Sequence, residues 1–245
     1  MTEMYEAIRQ NLNQVEWRIA RACARAGRNH SEITLVAVSK TRTLGEIISA
    51  YRCGLRHFGE NRVEELAPKV KHLASAFSQD GIIWHMIGHV QSRKARLAAE
   101  LSHIVHSVDS VRLATRLDRF AGELGKHLPV LLELNVSGEA SKYGFPAWDE
   151  ASFQAFLAQA RTLEKLTHLR VRGLMTMAPI VSDPEETRPV FRRLRELRDR
   201  LVEELPFTDW AELSMGMTDD FEVAIEEGAT MVRLGRAIFG PREYT

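Results

Sequence analysis

An α/β chain closed into a (β/α)8 TIM barrel, with an extra helix at its N-terminus, is the fold this sequence predicts. Three observations carry the prediction. Eight short β-favouring runs recur along the 245 residues, each separated from the next by a helical stretch, and strict strand–helix alternation implies a parallel sheet. The most apolar run, LPVLLELNV (128–136), is nearly continuous, as expected of a strand buried on both faces. No linker or low-complexity tract interrupts the series, so residues 1–245 read as a single domain of the size such a barrel needs. An open doubly wound sheet is the runner-up, but no G-x-G-x-x-G follows the first strand to support a dinucleotide-binding version.

The elements follow in order. Tyr5, Ile8, Leu12, Val15, Ile19 and Ala22 recur at three- and four-residue steps, which predicts a helix over 3–26 stopped by Gly27. ITLVAVS (33–39) is the first strand, and Thr43 to Glu46 has the spacing of a capping box for a helix ending at Gly54. LRHF (55–58) precedes a helix over 61–73 that contains Pro68. GIIWHMIG (81–88) precedes a helix over 92–102, and HIVHSV (103–108) precedes a helix over 110–124 with Asp109 as its cap. After the fifth strand the loop SGEASKYGFPAW leads to a helix over 149–166. LRVRGLMTM (169–177) is strand six, and Asp183-Pro184 reads as N-cap and first residue of a long helix ending near Leu205. DWAELSM (209–215), a helix over 218–228 and ATMVRLG (229–235) complete the alternation.

Composition narrows the function. Lys plus Arg and Asp plus Glu both number 33, so the formal charge is zero, which argues against a general nucleic-acid or anionic-membrane binder. The arginines of RPVFRRLRELRDR (188–200) are diluted by Glu196 and Asp199 and read as a solvated helix face. Two cysteines, Cys23 and Cys53, lack metal-ligand spacing and fit a reducing setting. With no secretory h-region and no long apolar segment, a soluble cytoplasmic protein is expected.

In a barrel, the residues just after each strand converge on one mouth. These are Lys40; Gly59, Glu60 and Asn61; His85, Gly88 and His89; Asn135; Met175 to Met177; Ser214 to Thr218; and Arg233 to Arg236. Loops after strands seven and eight commonly bind phosphate. S-M-G-M-T offers a hydroxyl, a glycine for close approach and then a helix N-terminus, while Gly235-Arg236 adds backbone donors. A lysine partly desolvated at that mouth is poised to meet a carbonyl as a neutral amine and form a Schiff base. On position alone, Lys40 also fits a strand-end lysine snorkelling to water. With a phosphate site across the mouth, both pyridoxal 5′-phosphate and a sugar phosphate fit the residues. Lys142 is a rival amine in a polar loop, where a solvated or anion-steering role suits it better. His85 and His89 form H-x-x-x-H, but in a strand pattern they do not share a face and do not read as metal ligands; His103 and His106 read as structural.

VAVSKTRT, HFGENRVEE, WHMIGHVQSRK, HSVDS, NVSGEASKYGF, RGLMTMAP and SMGMTDDFEVAIEEGATMVRLGRAIFG, spread over nearly the whole chain, resemble the pyridoxal phosphate homeostasis protein family. These proteins are small relatives of the alanine racemase N-terminal barrel. The resemblance implies that pyridoxal phosphate is the cofactor and that Lys40 forms the Schiff base. It further implies that Ser214, with backbone of Met215, Gly235 and Arg236, holds the phosphate. Arg233 would face the pyridine nitrogen, where a fixed cation disfavours the pyridinium and weakens the ring as an electron sink. Asn61 and His85 would line the cofactor. Thr218 stands where many relatives carry Ser, Arg236 where Thr is frequent, and Arg42-Thr43 departs from the common Lys-Pro or His-Pro.

The same resemblance implies a carrier that supports cofactor homeostasis with no strong turnover. A racemase needs a base on each face of the substrate carbon, and alanine racemases draw the second, a tyrosine, from a further domain. Here only PREYT follows the last strand motif, and Tyr244 is a lone tail tyrosine. The expected protein is a monomer whose partners are pyridoxal phosphate and apoenzymes that require it, with no nucleic acid, membrane or metal. The enzyme alternatives are a weak racemase or lyase using Lys40 as base, and a class I aldolase for sugar phosphates.

Overall fold

The computed structural model describes residues 2–74 and 81–241. Its main sheet runs β1 (Thr34–Val38), β2 (His57–Glu60), β3 (Ile83–Met86), β4 (Ile104–Val108), β5 (Leu128–Asn135), β7 (Leu169–Met175), β8 (Glu212–Ser214) and β9 (Met231–Leu234), all parallel. Pairing of β1 with β9 and of β4 with β5 closes the ring, so the predicted eight-stranded barrel is the observed fold and the open sheet is not. One strand was not predicted: β6 (Phe145–Pro146), two residues of the loop after β5, adds to the outer side of β5 at Leu134 and Asn135.

The helices occupy the predicted intervals with local differences. α1 (Thr2–Ala26) buries Ile8, Leu12, Val15, Ile19, Ala22 and Cys23 along one stripe. Each of Ile8, Leu12, Val15 and Ile19 contributes about 1.5–3 kcal/mol of transfer free energy by its burial. That stripe packs on α2 (Leu44–Arg52), α8 (Phe221–Glu226) and α9 (Arg236–Phe239), outside the barrel. The Thr43–Glu46 capping box is present. α3 (Val63–Leu73) passes through Pro68 without ending there. After α4 (Ala95–Leu101), the cap of α5 (Val111–Glu123) is Ser110, whose hydroxyl accepts from Leu113 N–H, and not Asp109, whose carboxylate is held by His89. α6 (Glu150–Ala160) runs on as a 3-10 turn to Lys165. Asp183 caps a 3-10 turn from Pro184 to Thr187, and only then does α7 (Arg188–Glu204) begin.

The helix expected over 218–228 is shorter, because Asp220 Oδ1 accepts from Met217 N–H at 2.6 Å and closes Met217–Asp220 into a turn ahead of Phe221. Among the described residues, no helix is long and apolar enough to cross a membrane. Tyr244 lies outside the described residues.

Candidate functional site

Alternate side chains of each barrel strand face the helices or the barrel axis. Outward, Leu35, Ala37, Phe58, Trp84, Val105, Leu132, Leu174, Leu213 and Val232 join the large core under the helices. Inward, Leu131, Met175 and Met231 with Ile104 and Met177 form a small separate apolar cluster. Two residues further toward the C-terminal ends, β4, β5 and β9 place His106, Glu133 and Arg233, all buried. Barrels usually fill with branched aliphatics, and unpaired polar groups there are costly. This barrel instead carries a polar layer beneath its mouth.

Most of the layer is joined by one run of hydrogen bonds. Arg233 donates to Ser214 Oγ at 2.6 Å and to Thr176 O at 2.9 Å. Ser214 Oγ lies 2.8 Å from His106 Nδ1, His106 Nε2 2.8 Å from His85 Nδ1, and His85 Nε2 2.9 Å from His57 Nδ1. Arginine has only donors, so Ser214 accepts from it and has its own hydrogen to give to His106. Each imidazole then carries its proton on Nε2 and donates to the next ring, ending on half-buried His57. Burial holds all three rings neutral: it lowers His57, pushes His85 down to about 3 and puts His106 well below the ordinary imidazole value. Burial also lowers Arg233, to about 10, which leaves it a cation at neutral pH.

Glu133 completes the layer on β5, which lies diametrically across the ring from β1. It is 3% exposed, and its carboxylate makes no hydrogen bond or ion pair with any described residue. Burial, reinforced by the charge of Asp109 and opposed by Arg233, raises its carboxyl to about 7.

Above this floor, Lys40 stands half-buried in the turn after β1. Ala37 is in register with Leu234, so Lys40 and the Gly235–Arg236 turn emerge from adjacent strands at the same mouth. Arg42 ties that turn to the last helix by donating to the carbonyls of Phe239 and Gly240. Asn61 lines a cleft of about 470 Å³ with Arg62, Gly88, His89, Gln91 and Lys94. His89 is held at 2.9 Å by Asp109 and stacks on Tyr143, and the ring nitrogens of His85 are both used within the interior chain. The two histidines therefore serve different surroundings. Lys142 is tied inside its own loop to Glu139 at 2.6 Å and Ser137 at 3.2 Å.

Three residues of the phosphate loops are already engaged within the fold. Ser214 is fully buried, and its hydroxyl serves Arg233 and His106 in the floor of the mouth. Met215 packs outward, and its N–H donates to Met231 O at 3.1 Å within the sheet, so it is not available to a phosphate. Gly216, at φ +92°, makes its close approach to Phe221 and Ala224 of its own chain, where a Cβ would come within 2.9 and 2.6 Å. What does open toward the mouth is the start of α9. Gly235 is its N-cap, so the first N–H groups are those of Arg236 and Ala237, and Thr218 Oγ1 sits 3.4 Å from Ala237 N. The Arg236 side chain is exposed and pairs with Asp219 at 2.5 Å.

A strand-end amine, a buried cation below it and the start of α9, where Ala237 N–H donates to Thr218 Oγ1, form a donor set that suits an aldehyde carrying a phosphate and a basic ring. His57, His106, Glu133 and Thr218 were not assigned to the site from sequence. The signal for His106 was available: H-x-x-H around β4 has the inward parity of Ile104, as His85 has that of Ile83.

Comparison with known proteins identifies the family. A pyridoxal phosphate homeostasis protein of Vibrio alginolyticus is 41% identical over 240 residues, covering 98% of this chain and 99% of that one. The protein of the same name from Escherichia coli K12 is 41% identical over 239 residues, covering 97% and 98%. The structure of PipY of Synechococcus elongatus with pyridoxal phosphate bound superposes with a TM-score of 0.77 at 38% identity, covering 91% of this chain and all of that one. An alanine racemase of Clostridium difficile shares the fold alone, with a TM-score of 0.72 at 16% identity. The sequence model of the alanine racemase N-terminal domain matches residues 6–243, and the chain belongs to that family, among its pyridoxal phosphate homeostasis proteins.

Proposed function

We propose that this protein binds pyridoxal 5′-phosphate through Lys40 and supports homeostasis of that cofactor. The observation that carries the reading is the placement of one lysine, at the end of β1, over a buried arginine and beside the opening of α9 on the neighbouring strand. When bound, the cofactor supplies an aldehyde that condenses reversibly with a primary amine and a ring that can drain charge from it. Lys40 is the amine that holds the aldehyde. The Thr218 hydroxyl, whose oxygen accepts from Ala237 N–H, and the N–H of Arg236 hold the phosphate, where helix-end donors favour an anion. Arg233, kept in place by Ser214 and Thr176, presents a fixed positive charge to the ring nitrogen and disfavours its protonation. Asn61 lines the cofactor from the β2 end.

A ring held unprotonated is a weak electron sink, which favours keeping the cofactor over turning over amino acids. The reading is of a monomeric, cytoplasmic carrier, a single barrel domain over 1–245, with apoenzymes that require the cofactor as recipients. The names of the relatives support the homeostasis role. The test is borohydride reduction of the protein loaded with pyridoxal phosphate, followed by peptide mass mapping. A pyridoxyl mass on Lys40 is expected; mass on Lys142 alone, or on no single lysine, overturns the assignment. Solvent-deuterium exchange at the α-carbon of amino acids, followed by NMR, separates carrier from racemase: many exchanges per protein would make it an enzyme.

A further inference from the structure

The turn that carries Lys40 is gripped from both sides by a buried ion network outside the set of cofactor residues. Lys69, on α3, is 6% exposed. An ammonium has three hydrogens to give, and all three are taken: Nζ donates to Ser39 O at 2.7 Å, to Glu60 Oε1 at 2.7 Å and to Glu65 Oε1 at 2.9 Å. Ser39 Oγ donates to the same Glu60 oxygen at 2.6 Å, and Thr41 N–H donates to Glu65 Oε1. Ser39 O also accepts from Arg42 N–H at 3.0 Å, closing the turn. The residues before and after Lys40 are therefore both tied to one cation and its two carboxylates.

The turn does not hold this shape by itself. Thr41 has φ +64°, a left-handed conformation that a β-branched residue adopts only under constraint. The bond from Thr41 N–H to Glu65 and the grip of Lys69 on Ser39 O supply that constraint. The network is also costly to bury: Glu60 is fully inside, its carboxyl is raised by burial, and its Oε2 has no hydrogen-bond partner. A strained residue and a buried ion pair both converge on the one turn that holds the reactive amine.

We propose that Lys69, Glu60 and Glu65 are positioning residues, which fix the Ser39–Arg42 turn so that the Lys40 amine projects into the mouth and which disarm Lys69 as a competing amine. The inference rests on Lys40 being the cofactor lysine. An ammonium that gives all three hydrogens to fixed acceptors has no lone pair to offer a carbonyl. Two lysines thus flank this turn, Lys40 within it and Lys69 locked against it from α3.

The experiment compares wild type with Glu65→Ala, Glu65→Gln and Lys69→Met. Glu65 is 28% exposed at its side chain, so Glu65→Ala removes the grip on Thr41 without stranding a buried charge, whereas Glu65→Gln keeps an acceptor oxygen. Three readouts are taken: the melting temperature, the rate of borohydride trapping of pyridoxal phosphate with mapping of the lysine, and trace acetylation of each lysine in protein without cofactor. Glu65→Ala is expected to stay folded, to trap at least tenfold more slowly at Lys40 and to shift the acetylation rate of Lys40 relative to the other lysines. Glu65→Gln should stay near wild type in both. Lys69→Met, if folded, should behave as Glu65→Ala; if it does not fold, Glu65→Ala decides alone. A folded Glu65→Ala with wild-type trapping and acetylation overturns the inference. If wild type itself carries no pyridoxyl on Lys40, it is the cofactor reading that fails, and the cofactor-free acetylation comparison still decides whether the network sets the amine.

Discussion

Ser214 and Arg233 meet at 2.6 Å inside the barrel, on adjacent strands, both buried. The serine hydroxyl accepts from the guanidinium and lies 2.8 Å from His106 Nδ1. It is the joint between an obligate donor, Arg233, and a chain of three neutral imidazoles. Ser214 and Thr218, four residues apart and both hydroxyl-bearing, therefore do separate jobs, and substitutions should separate them.

Ser214→Ala leaves Arg233 and His106 short of a partner in a buried layer. A loss of about 1–3 kcal/mol in urea unfolding is expected. Thr218→Ala, at a partly exposed turn, should change stability by under about 0.5 kcal/mol while weakening pyridoxal phosphate binding roughly tenfold, since one charge-assisted hydrogen bond contributes about 1.5–3 kcal/mol at most. Equal effects of the two on affinity, with no stability difference, would contradict the assignment.

Glu133 should give the protein a pH dependence of its own. Its carboxyl is raised from 4.5 to about 7 in the fold, so between those values the folded state keeps a proton that the unfolded chain has lost. Its contribution is fully present below pH 4.5, falls as pH rises toward 7 and is then flat, with a span of about 3 kcal/mol. Glu133→Gln should remove that slope, so its stability relative to wild type should grow between pH 5 and 7.5 in thermal melts.

The histidine chain acts in the opposite sense. His57, His85 and His106 are all held below 6.5 by burial, so their contribution is present above pH 6.5 and is lost as pH falls below it, for His85 as pH falls toward about 3. Each adds up to about 1.4 kcal/mol per pH unit in that window. His57→Gln, at the half-buried end, should shallow the acid limb of the stability profile measured by urea unfolding, by up to one proton's worth.

Gly88 must remain glycine. A Cβ there would lie 2.3 Å from Asn61 O and 2.7 Å from its Cα, and backbone cannot yield as a side-chain tip can. Gly88→Ala is expected to cost more than about 2 kcal/mol and, by displacing Asn61, to weaken pyridoxal phosphate binding measured by absorbance titration.

Much of this was readable before any coordinates. The capping box at Thr43 and Glu46, the stripe of α1 and the continuous apolar run of β5 are local patterns, and each formed where expected. The errors were also local contests with more than one acceptable outcome. Ser110 displaced Asp109 as a cap because His89, some twenty residues away in sequence, holds the aspartate. Asp220 shortened the helix after β8 by taking a loop N–H. Met215 looked like a backbone donor until the ladder with β9 claimed its N–H.

By itself, the sequence determined the order of strands and helices, the ring they close into, and the placement of Lys40 where a buried strand ends. Those follow from side-chain periodicity and capping, which act over a few residues. Only the tertiary structure decided which polar residues face the axis and which of them touch. His57, His85, His106, Ser214 and Arg233 come from five strands, and their hydrogen-bonded line exists because the closed barrel sets one register among those strands. A shift of a single residue in any of them would turn its side chain out toward the helices. Lys69 shows both: Glu65 is its i,i+4 partner on α3, a local pairing, whereas Ser39 after β1 and Glu60 on β2 reach it only through the packing of the barrel.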